Sequence, residues 1–173
     1  PQQALTNATR LMQDGGARVV KLESGASQLQ IVEFLAGHDI PVCAHLGLRP
    51  QSVHKTGGFR VQGREQQAAE RMLADARALE AAGADLLLLE CIPSALGKTI
   101  TEAVHVPVIG IGAGPSTDGQ ILVLYDILDI TGGRKPRFVR NFMAGAGDCT
   151  QAVQAYVEAV RTGSYPAAEH EFA

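Results

Sequence analysis

Apolar positions in this chain alternate between helical stripes and short continuous runs. Leu5, Ala8, Leu11 and Met12 share one face of a helix predicted over residues 2 to about 14 and stopped by Gly15-Gly16. Ala17 to Glu23 reads as a strand. A helix over about 27 to 36 follows, with Leu29, Val32 and Leu35 on one side and Gly37 at its end. Pro41 to Leu48 predicts a second strand. A longer helix, about 65 to 82, carries Ala68, Met72, Ala76 and Leu79 and ends at Gly83. The stretch Asp85 to Pro93 is an apolar run suited to a strand buried on both faces, as parallel strands covered by helices are. Ser94 is placed as the N-cap of a short helix through Ala103. Val106 to Ala113 gives a fourth strand and Gln120 to Asp126 a fifth. Beyond Gly132-Gly133 the pattern predicts helices near 136 to 143 and over 150 to 161, then a polar tail with Glu169 and His170.

Strands alternating with helices predict an α/β fold of about five parallel strands with right-handed crossovers, in a single domain over 1–173. Two architectures fit: an open doubly wound sheet, or the larger part of an eight-stranded barrel whose first strands are absent. Periodicity does not separate them. The polar segment 49–63 is long for a connection inside a compact domain, which predicts a binding loop or lid.

A net charge of −3 gives no electrostatic case for nucleic acid or an acidic membrane surface. Cys43, Cys91 and Cys149 are too scattered for a disulfide framework or for metal-ligand spacing. Cys43 and Cys91 lie in apolar runs, as reduced thiols of a cytoplasmic protein do. No signal peptide is evident, and no apolar run approaches the length of a membrane span.

Chemistry collects near the carboxyl ends of the strands. Lys21 and Glu23 are two apart and share a face of the first. His45 lies in the second run, Glu90 ends the leucine run of the third, and Asp126 ends the fifth. A carboxylate in such a run costs on the order of several kcal/mol unless it is paired, hydrogen-bonded or bound to a metal. Singly, each residue has a plain reading: a core histidine satisfied by hydrogen bonds, a Lys21–Glu23 ion pair, a Glu90 reaching solvent, an Asp126 in a cap or turn. Jointly, ionisable groups converging at one end of consecutive parallel strands predict a ligand site. Gly110, Gly112 and Gly114 do not form a dinucleotide fingerprint, because position 115 is Pro. They predict either close backbone approach to a substrate or tight packing at a barrel corner.

Taken together, several stretches resemble the ketopantoate hydroxymethyltransferase family. They are Val-Lys-Leu-Glu (20–23), Ala-His-Leu-Gly-Leu-Arg-Pro-Gln-Ser-Val (44–53), Gly-Gly-Phe-Arg-Val-Gln-Gly (57–63) and Leu-Leu-Glu-Cys-Ile-Pro (88–93). Ile-Gly-Ile-Gly-Ala-Gly (109–114), Asp-Gly-Gln-Ile-Leu-Val (118–123) and Tyr-Pro-Ala-Ala-Glu-His-Glu-Phe (165–172) complete the set. The resemblance implies a (βα)8 TIM barrel assembled as a homo-oligomer, commonly a decamer. It implies transfer of a one-carbon unit from 5,10-methylenetetrahydrofolate to 3-methyl-2-oxobutanoate, giving 2-dehydropantoate. It also implies a magnesium ion (Mg2+) that holds the oxo acid and stabilises its enolate. The family's substrate lysine falls on Lys21, its metal-associated glutamate on Glu23, its substrate histidine on His45 and its proton acceptor on Glu90.

The same resemblance implies that the chain corresponds to about strands four to eight. The first three βα units, with two metal-binding aspartates and a serine beside the substrate, have no counterpart in it. The expectation is therefore a partial barrel, with exposed edges, poor stability and most of the metal site missing when alone. Two other functions fit the residues. One is another magnesium-dependent lyase that forms an enolate from an α-keto acid. The other is a non-catalytic module that binds an anion at the 110–114 turn.

Overall fold

The structure is a computed structural model and describes residues 1–23 and 25–173. Helix α1 (Gln2–Gln13) leads into β1 (Val20–Glu23), a 3-10 turn at Ala26–Gln28 and α2 (Leu29–Ala36). Then come β2 (Val42–Gly47), a second 3-10 turn at Pro50–Ser52 and the one-turn α3 (Val53–Thr56). The segment 49–63 is thus partly helical. Next are α4 (Gln66–Ala81), β3 (Leu86–Glu90), α5 (Ser94–Ala103) and β4 (Val108–Ile111). The chain ends with β5 (Gly119–Gln120), α6 (Leu124–Ile127), α7 (Cys149–Arg161) and a 3-10 turn at Ala168–His170.

All five strands are parallel and lie in the sheet in sequence order, β1-β2-β3-β4-β5. A doubly wound sheet needs a reversal of strand order, and the described strands contain none. Sequential order is compatible with a TIM-barrel-like arrangement. One face of the sheet carries Val20, Val42, Ala44, Leu46, Leu87, Leu89 and Val108, packed on Val32, Leu35, Ala76, Leu79 and Ile100 of the helices. Side chains alternate across a strand, so Lys21, Glu23, Cys43, His45, Leu88, Glu90 and Ile111 stand on the other face. There Leu88, Ile111 and Cys91 pack with Leu48 and Phe138. Among the described residues, no helix is long and apolar enough to cross a membrane.

Three elements differ from the sequence pattern. The helix after β3 starts at Ser94, with Pro93 in the N-cap position and no side-chain cap bond. The fifth strand is two residues long, because the Gln120 amide turns back to donate to the Gly114 carbonyl and the Thr117 hydroxyl. The following apolar residues form α6, so Asp126 sits on a helical turn, where it accepts from the Thr131 hydroxyl at 2.6 Å. No helix forms at 136–143. Phe138 and Phe142 have helical spacing but belong to two different clusters, and the Phe138 carbonyl accepts from the Tyr165 hydroxyl at 2.6 Å.

Candidate active site

Glu90 ends β3 opposite Gly47 of β2 and Ile111 of β4. Gly47 has φ +92°, and a Cβ there would lie 2.1 Å from the Glu90 carbonyl oxygen. That carbonyl accepts from the Leu48 N–H at 2.8 Å. Glycine thus lets the two strands close together where their side chains must face outward.

His45 lies in the middle of β2 and is fully buried. Its Nε2 is 3.2 Å from Oε2 of Glu90, whose side chain is 15% exposed. Neither ring nitrogen has an aligned hydrogen bond among the described residues. Apart from its contact with Glu90, His45 has no hydrogen-bond partner among the described residues. A buried imidazole with open hydrogen-bonding capacity beside a carboxylate is a pair poised for a third, polar molecule.

Glu23 is the register partner of His45 on the neighbouring strand. Lys21, Leu22 and Glu23 line a cavity of about 380 Å³ with Gln28 and Gln51. Among the described residues, Lys21 and Glu23 make no ion pair, so the structural pairing open at the sequence level is absent. Burial pushes the Cys43 thiol up, and the Lys21 ammonium pulls it partway back. Lys21 and Cys43 are register partners on β1 and β2. The Cys91 thiol is pushed up to about 12, chiefly by burial and then by the negative charge of Glu90.

Asp126 belongs to the α6 turn and not to this cluster, as its plain reading had it. The glycine turn serves packing. The space where a Cβ would stand is filled by Thr117 at Gly110, by the Phe138 ring at Gly112 and by Ser94 at Gly114. Of the two readings open for these glycines, tight packing is the one these contacts support. Gln28 and Gln51 were not singled out in the sequence. The Gln28 Oε1 atom is buried without a partner among the described residues, but a glutamine in a helical turn carries no pattern that announces this.

Magnesium prefers oxygen ligands and is commonly held by one or two carboxylates, with substrate and water completing its shell. Glu23, on the cavity wall, fits as one such donor. Among the described residues, no three His, Cys, Asp or Glu side chains come together to hold a metal ion. A complete ligand set therefore needs oxygens from other sources.

Comparison with known proteins gives a consistent result. The family model for ketopantoate hydroxymethyltransferase matches residues 1–168. A 3-methyl-2-oxobutanoate hydroxymethyltransferase from Alkalilimnicola ehrlichii is 63% identical over 171 residues, covering 99% of this chain and 62% of the relative. The protein of that name from Shewanella loihica is 59% identical, covering 99% of this chain and 65% of the relative. The one from Halorhodospira halophila is 60% identical, covering 99% and 62%. The chain thus spans 62% to 65% of the length of these relatives.

Proposed function

Because the chain belongs to the ketopantoate hydroxymethyltransferase family, we propose that it contributes the Lys21, Glu23, His45 and Glu90 part of a hydroxymethyltransferase active site. The reaction is transfer of a hydroxymethyl group from 5,10-methylenetetrahydrofolate to 3-methyl-2-oxobutanoate, giving 2-dehydropantoate in pantothenate biosynthesis. The whole protein is read as a (βα)8 barrel enzyme of the cytoplasm that assembles as a homo-oligomer, commonly a decamer in the family. The sequential order of five parallel strands supports the barrel. Ile121, Val123, Leu124, Tyr125 and Ile130 are all exposed on one stretch of chain, which supports further association.

The observation that carries the catalytic reading is the Glu90 carboxylate, still reachable by solvent, 3.2 Å from a buried His45 at the carboxyl end of the sheet. The proton to be removed is on C3 of the oxo acid, next to the keto carbon, and Glu90 takes it as general base. The carbon nucleophile left behind bonds to the methylene carbon, both carbon–nitrogen bonds of that carbon break, and water supplies the hydroxyl. The proton from C3 and the remaining proton of that water end on the two nitrogens as tetrahydrofolate leaves. His45 hydrogen-bonds substrate oxygen and holds the acid in register with Glu90. Lys21 offsets the negative charge of the carboxylate and of the deprotonated carbon. Glu23 would be one ligand of Mg2+, which supplies Lewis-acid polarisation of the keto oxygen.

The test is Glu90→Gln in the full-length protein. The expected result is a kcat lower by about 10²- to 10⁴-fold, with the KM of the oxo acid little changed. A variant that keeps turnover within about twofold of the parent overturns the assignment.

A further inference from the structure

The turn joining β3 to α5 has a backbone feature that proton transfer does not explain. Cys91 directly follows Glu90 and has φ +51°, in the left-handed region that residues bearing a Cβ seldom adopt. It is also buried, at 7% exposure. Its N–H donates to the Ile111 carbonyl at 2.9 Å, and its own carbonyl accepts from the Gln62 N–H at 2.9 Å. The Ile92 N–H then donates to the Gly112 carbonyl at 3.1 Å. Around Cys91 pack Leu48, Leu88, Ile111 and Phe138. On the strand side, the Glu90 carbonyl is held by the Leu48 N–H. A conformation this uncommon persists only where its surroundings over-determine it, and such positions concentrate at functional sites.

The geometry has a direct consequence for Glu90. Extended backbone through position 91 would carry the chain onward along the strand. The left-handed residue instead turns it at once toward α5, so Glu90 is the last side chain that β3 presents on the face shared with His45.

We propose that Cys91 is a positioning residue: its left-handed backbone, clasped between β4 and the 57–63 loop, fixes the direction in which the Glu90 carboxylate meets His45. The link to turnover rests on the reading of Glu90 as the base, whereas the link to His45 does not. Through the Gln62 N–H, the end of the 49–63 segment bears on the site as a fixed brace for this turn.

The test compares Cys91→Gly with the conservative Cys91→Ala in the full-length protein. Glycine accepts the left-handed angle and many others, so the fold is kept while the direction of Glu90 is released. Alanine keeps the restriction of a Cβ and removes only the sulfur. In Cys91→Gly, kcat is expected to fall on the order of tenfold to a hundredfold, with the KM of the oxo acid within about twofold. The 15N resonances of the His45 imidazole are expected to shift in the same variant, and Cys91→Ala to keep both properties near the parent. Unchanged His45 resonances in Cys91→Gly overturn the proposal. So does equal damage in both variants, which would assign the effect to the thiol. Where Glu90→Gln abolishes turnover, loss of thermal stability in Cys91→Gly with unchanged kcat per folded molecule overturns it as well. Glu90→Gln, run alongside, separates the two readings: full turnover there removes Glu90 as base, while the His45 resonances of Cys91→Gly still decide the positioning role.

Discussion

At the scale of single residues, the site depends on atoms that leave no room for others. A Cβ at position 47 would meet the Glu90 carbonyl oxygen at 2.1 Å, and the backbone there has φ +92°. Gly47→Ala combines backbone strain with overpacking, each on the order of 1–3 kcal/mol. It should lower unfolding stability by roughly 3 kcal/mol in a urea titration. A loss below about 1 kcal/mol would show that β2 and β3 separate easily here. The cysteines divide by burial and charge. Cys149 is exposed and Cys91 buried, with the Cys91 thiol held up at about 12 by burial and by Glu90. Since the thiolate is the reactive form, iodoacetamide at pH 8 should label Cys149 while Cys91 stays unmodified in the native protein, as read by peptide mass spectrometry. Glu90 was legible in the sequence because a carboxylate ending an apolar run demands a reason. Cys91 was legible only as a small hydrophobe, since nothing in a cysteine's identity announces a left-handed backbone.

At the scale of elements, helix α7 is fastened to the irregular segment 131–146 by aromatic contacts. Phe142, Tyr156 and Tyr165 meet edge-on with centroids 5.4 to 5.9 Å apart, and the Tyr156 hydroxyl donates to the Gln120 carbonyl at 3.0 Å. These contacts explain why 136–143 is not a helix: its two phenylalanines are drawn in different directions. Tyr165→Phe leaves the Phe138 carbonyl without its buried donor and should cost about 1–3 kcal/mol of unfolding free energy. A neutral effect would mean that water replaces the hydroxyl. Burial also sets a pH dependence. The Tyr156 phenol is pushed up to about 12 from an ordinary 10.0, and Tyr165 is raised in the same direction, by burial first. The unfolded chain loses these protons near pH 10 while the folded protein keeps them. This contribution is fully present below about pH 10 and is lost as the pH rises toward about 12. The denaturation midpoint should therefore fall from about pH 10 upward, and fall less in Tyr156→Phe. A midpoint independent of alkaline pH in the parent would contradict the burial of these phenols.

For the whole molecule, the sheet is anchored at its centre and open at its margins. β3 pairs on both sides and is the most apolar strand, whereas β1 and the two-residue β5 each have one partner in the sheet. Amide exchange should therefore be slowest at Leu87–Glu90 and fast at Gly119–Gln120, where opening disrupts few buried contacts. Uniform protection across the five strands would count against this distribution of stability.

The alternation of strands and helices, the charged residues near the strand ends and the stretches that mark the family can all be read from the order of residues along the chain. Each of these is local: a spacing of two or of three to four residues, or an order of side chains along the chain. The strand order, the meeting of His45 with Glu90, and the filling of the glycine gaps by Thr117, Phe138 and Ser94 arise from folding in three dimensions. Folding also ended the fifth strand after two residues and bent Cys91 left-handed. The physical reason is that contacts between distant segments depend on register and close packing. A sequence pattern shows which residues are buried, not which neighbours they meet.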